Sequence, residues 1–123
     1  MSSVIPPPEW KGRFVPFLDV LLFMRARLLE GTSPRIFLGR VDAHALRSFV
    51  NGVGFYVSCC GADIDEFMEF KEWLRDKGEF SDPEGWEGRY LADCHGDHQK
   101  AIMKFLDRCA EFVALRRASG NRS

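Results

Sequence analysis

No stretch of this chain approaches the roughly 20 consecutive apolar residues that a membrane-spanning helix requires. Its opening, Met-Ser-Ser-Val-Ile-Pro-Pro-Pro, lacks the basic then apolar layout of a secretory leader. A cytoplasmic protein with no membrane partner is therefore expected. A dense basic run is missing as well, and at pI ≈ 6.3 the chain does not offer the phosphate-tracking surface of a nucleic-acid binder. Cysteine is sparse: Cys59, Cys60, Cys94 and Cys109 are the only four. The adjacent pair is a poor disulfide framework, and a chain of 123 residues can bury roughly two thirds of its unfolded surface without staples. Reduced, mostly buried thiols are expected. Strand-period alternation and internal repeats are also lacking.

What the chain does have is aromatic mass and helical periodicity. Eleven Phe and three Trp within a 46% apolar composition supply one core. After an extended proline-rich arm over residues 1–13, Phe14, Phe17, Leu18, Leu21, Met24, Arg25 and Leu28 follow the three/four spacing of a first helix, with Pro16 in its first turn. Gly31 ends it, and Arg35 to Gly39 reads as a short apolar connector. Asp42 caps a second helix with Leu46, Phe49, Val50, Val53 and Val57 on one face. Its Gly52 and Gly54 permit close approach of a neighbour, so it is expected to be the tightly packed central helix.

Asp63 and Glu66 open a third helix over residues 64–77, turning Ile64, Phe67, Met68, Phe70 and Leu74 inward. Ser81-Asp82-Pro83 starts a shorter fourth helix carrying Trp86, Tyr90 and Leu91. Asp97 caps the fifth, whose stripe comprises Ile102, Phe105, Leu106, Cys109, Phe112 and Val113. Arg116 and Arg117 complement its C-terminal dipole, and residues 119–123 fray into a disordered tail. The expected fold is all-α: a single-domain bundle of about five helices spanning residues 14–118.

Charge is unevenly spread. Asp63 to Asp97 holds twelve acidic residues against four basic ones, while both flanks are positive. Within that block Asp65, Glu69, Glu72 and Asp76 are spaced four, three and four apart, which on a helix makes one negative stripe facing away from the apolar side. Trp73 lies at the border of stripe and core. A basic protein surface suits this stripe, with Trp73 and Trp86 as apolar anchors.

No residue set signals catalysis with comparable force. Cys94-His95-Gly96-Asp97-His98 contains four residues of metal-ligand type, but Gly96 and Asp97 fit a helix break and cap, and the other cysteines lie at no ligand spacing. No metal or cofactor is expected. A Cys-His nucleophile would need a base, an orienting group and an oxyanion pocket that nothing marks. Gly52-Val53-Gly54 is too short for a dinucleotide loop and follows no strand. Ser33 to Gly39 resembles a signature near the start of type II topoisomerase ATPase domains, but their Asp-Asn helix and glycine-rich lid have no counterpart.

A broader pattern comprises the apolar first helix, Pro34 to Gly39, Leu46, Phe49 and Gly52, then Phe67, Trp73, Lys77, Trp86, Phe105 and Phe112. It resembles a group of small helical bacterial proteins, some of which accompany polymorphic toxins as immunity proteins. That resemblance implies a non-enzymatic module that neutralises a toxin domain by occlusion, and it supplies no catalytic residues. Two other classes are a self-associating adaptor working through Trp10 and the proline arm, and a small metal-dependent enzyme at Cys94 to His98.

Overall fold

The computed structural model describes residues 5–60, 65–80 and 85–118, and the Asp65 side chain lies outside that description. Six α-helices are present and no strand is found among the described residues. They are α1 (Phe17–Leu29), α2 (Arg35–Leu38), α3 (Ala43–Cys59), α4 (Asp65–Asp76), α5 (Glu87–Asp93) and α6 (His98–Ala118). The all-α single-domain expectation holds, and α2 is the addition: a single helical turn where a connector was expected. It closes at Gly39, whose φ of 80° is the left-handed conformation that glycine accepts without strain. The caps expected at Asp63 and Asp82, and the tail, lie outside the described residues.

The central helix is α6, not α3. Ala101, Ile102, Phe105, Leu106, Cys109, Phe112 and Val113 are all buried, and α1, α3, α4 and α5 each pack against them. By contrast, α3 buries only Ala43, Leu46 and Val50. The two glycines explain little of this. A Cβ on Gly54 would make ordinary contact with Phe67, and one on Gly52 would project into open space. Their spacing reflects tolerance rather than a close helix crossing.

Local signals were accurate where the cap lay beside its helix. Asp42 Oδ1 accepts the His44 N–H at 2.8 Å and Asp97 Oδ1 accepts the Lys100 N–H at 3.0 Å. Phe14 departs from its expected inward position because α1 begins only at Phe17, after Pro16. The arm is not simply extended either. Pro8–Trp10 forms a 3₁₀ turn, and Trp10 meets Phe23 edge-on with ring centroids 5.4 Å apart.

α5 is tied to α3 by charge. Glu87 is buried, with Oε2 accepting from Arg47 Nη1 at 2.8 Å and lying 3.4 Å from His44 Nδ1. The neighbouring Gly85 has φ 74°, and a Cβ there would come within 2.7 Å of Glu87 Oε1 and 2.9 Å of Arg47. Only glycine lets the chain pass this ion pair without displacing it.

Candidate partner-binding surface

α4 presents its acidic side to solvent because its buried side is narrow. Phe67, Phe70 and Leu74 recur at three and four residues and enter the core, where Phe70 contacts Phe105 and Phe112. At about 100° per residue, Met68 falls roughly 130° from the middle of that buried arc. It is accordingly 44% exposed, not inward as expected. Met68, Glu69, Glu72, Trp73 and Asp76 join Phe112 of α6 around a shallow surface groove of about 450 Å³.

Trp73 forms one apolar wall of this groove. It is half-buried, its ring 5.5 Å from Phe112 and 6.1 Å from Phe70, so packing fixes the indole while part of it stays accessible. The Lys77 ammonium stands 4.7 Å from the Trp73 centroid, a cation–π contact made one helical turn away. Trp86 does not join the surface. It is only 2% exposed and stacks on Phe105, with centroids 4.1 Å apart and planes 18° from parallel. Its role is in the core, and the expectation of an anchor there is corrected.

The carboxylates are not equally available. Arg116 of α6 donates from Nε to Glu69 at 2.7 Å and from Nη1 to Glu66 at 3.0 Å. Arg117 reaches Asp19 of α1 at 2.8 Å and also approaches Glu66. These two arginines, expected to act on the helix dipole, instead bind α6 to α4 and α1 across the bundle. Glu72 pairs with Arg75 on its own helix. Asp76 is exposed and forms no ion pair among the described residues, which leaves it as the most available negative charge beside Trp73. An acidic helix followed by a distant Arg-Arg pair was the only sequence signal for this network.

The Cys94 to His98 segment builds a turn. Cys94 ends α5, while His95 at φ 56° and Gly96 at φ 82° reverse the chain. His98 Nδ1 accepts the Ala43 N–H at 3.0 Å, filling one of the open donors at the start of α3. That bond requires an unprotonated Nδ1, so the ring acts as a second cap beside Asp42. Among the described residues no three His, Cys, Asp or Glu side chains are grouped to hold a metal ion. The four thiols are free, but the expectation that most are buried is corrected: Cys109 is buried, Cys94 is half-buried, and Cys59 and Cys60 lie exposed at the end of α3.

The fold and surface thus define an all-α single-domain protein with an acidic groove edged by aromatic side chains. No protein-family model, curated protein or solved structure matches the chain.

Proposed function

We propose that this chain is a non-enzymatic protein-binding module whose α4 face receives a basic protein surface. In its sharpest form it is an immunity protein that neutralises a bacterial toxin domain by occlusion. The observation that carries the reading is Trp73, held against Phe112 in a groove bordered by Glu69, Glu72 and Asp76. A fixed amphipathic ring within a negative rim combines an anchor with electrostatic steering, the two elements of specific association. Lys77 on the indole marks the place a partner's Lys or Arg would occupy, so binding exchanges an intramolecular cation for an intermolecular one. Asp76 supplies long-range attraction, whereas Glu69 is already engaged by Arg116 and contributes less. Trp86 is not part of this surface.

The test is co-expression with the product of the neighbouring reading frame, followed by growth protection and by binding of the purified pair across a salt series. Protection by the wild type, reduced by Trp73→Ala with Asp76→Lys, is the expected result. Protection undiminished by that double variant at low and physiological salt would remove the α4 groove as the recognition site.

A further inference from the structure

Among the described residues, none covers one face of the second half of α3. From Ser48 to Cys60 the chain has thirteen residues and not one charged side chain, although 28% of the whole sequence is charged. Within it, Ser48, Asn51, Gly52, Phe55, Tyr56 and Cys59 are all exposed and share one side of the helix, with Phe55 73% and Tyr56 68% open to solvent. Ser48, Gly52, Phe55 and Cys59 are spaced four, three and four, the seam spacing of paired helices.

The seam is self-complementary. Reversed about the point between Val53 and Gly54, it sets Gly52 opposite Phe55, Asn51 opposite Tyr56 and Ser48 opposite Cys59. Each pairing places a smaller side chain against a larger one. Gly52 faces open space, so it is a pit on the helix surface rather than a contact within the bundle. The seam itself carries no charge to repel its own copy, and the only cations bordering it among the described residues of its adjoining pockets are Arg47 and Lys71, whereas the acidic α4 face would set carboxylate against carboxylate. We infer that α3 is the interface of an isologous antiparallel dimer, in which Phe55 of each copy seats on Gly52 of the other. At roughly 150–250 Å² per aromatic side chain, with Phe55 73% and Tyr56 68% open, the four rings of two copies would supply about half of the ~1,000 Å² that marks a stable interface. The dimer is therefore weak and concentration-dependent. It uses a surface distinct from the α4 groove and stands independently of the proposed function.

The experiment is sedimentation equilibrium from micromolar to millimolar protein under reducing conditions. Mass should rise toward twice that of one chain, while Gly52→Arg should remain monomeric. That substitution points into open space, so its melting temperature should be unchanged or higher, which separates lost docking from lost folding. Register is read by Ser48→Cys in a Cys60→Ser background. With oxidised glutathione as oxidant, the new thiol should bridge to Cys59 of the other copy, each bridge releasing two reduced glutathiones. Asn51→Cys in the same background should not bridge there. A single-chain mass throughout, a dimer that survives Gly52→Arg, or no bridge from position 48 to Cys59 would each overturn the inference. The first of these would assign the face to a different occupant.

Discussion

Arg108 of α6 grips Glu79 through both carboxylate oxygens, with Nε 2.9 Å from Oε1 and Nη2 3.2 Å from Oε2. Tyr90 of α5 donates its hydroxyl to the same Oε1 at 2.7 Å. The segment that follows α4 is thus fastened at Glu79 to both helices of the C-terminal half. The Arg108 guanidinium, joined by the Tyr90 hydroxyl, holds the Glu79 carboxyl below its ordinary range despite partial burial. Burial, reinforced by Glu79, pushes the Tyr90 phenol up.

Because the folded Glu79 titrates below its unfolded counterpart, its contribution is present above the ordinary carboxylate range and is lost as pH falls through the folded value. Glu79→Gln should therefore cost about 2 kcal/mol near neutral pH and little in acid. Urea melts of both proteins at a series of pH values should converge as the pH falls below the ordinary carboxylate range. A constant gap across the series would show that charge is not the source of the stabilisation.

Trp73 and Trp86 should separate cleanly. Trp86→Ala empties a core position against Phe105 and should lower stability by about 3–5 kcal/mol. Trp73→Ala removes a half-buried ring and should cost about 1–2 kcal/mol. Thermal melts decide this, and equal losses would contradict the division between core and surface.

Thiol chemistry gives a third check. Cys59 and Cys60 are exposed, while burial pushes the Cys109 thiol up and shields it. An alkylating reagent applied to the native protein should modify Cys59 and Cys60 first and Cys109 only after denaturation, as resolved by peptide mass spectrometry. Early labelling of Cys109 would mean that α6 opens more readily than its packing implies.

Lys77 offers the least obvious expectation. If it holds the place of a partner's cation on Trp73, Lys77→Gln should strengthen binding by roughly twofold to twelvefold, the equivalent of about 0.5–1.5 kcal/mol for a cation–π exchange. Titration calorimetry at fixed salt reads it. Weaker binding would assign Lys77 to direct partner contact.

Much of the fold was legible because its causes are local. The α6 stripe from Ile102 to Val113 and the caps at Asp42 and Asp97 depend on residues within a few positions of one another. Met68 was misread as inward, although its angle already places it away from Phe67, Phe70 and Leu74. Trp86 was not legible, because its burial depends on Phe105, which belongs to a different helix. Arg116 and Arg117 failed for the same reason: a helix-end charge has a local explanation, and only the crossing of α6 over α4 and α1 brings Glu66, Glu69 and Asp19 within reach. The idea of α3 as the central helix read its glycines as packing sites without knowing which face they occupied.

The most direct test of the acidic groove is stopped-flow binding of the wild type, Asp76→Lys and Trp73→Ala to the product of the neighbouring reading frame at several salt concentrations. Asp76→Lys should slow association and flatten its salt dependence. Trp73→Ala should leave association nearly unchanged and speed dissociation, at a cost of about 2 kcal/mol or more in affinity. Unchanged rates for both variants at low and physiological salt would contradict the assignment of the α4 groove as the partner site.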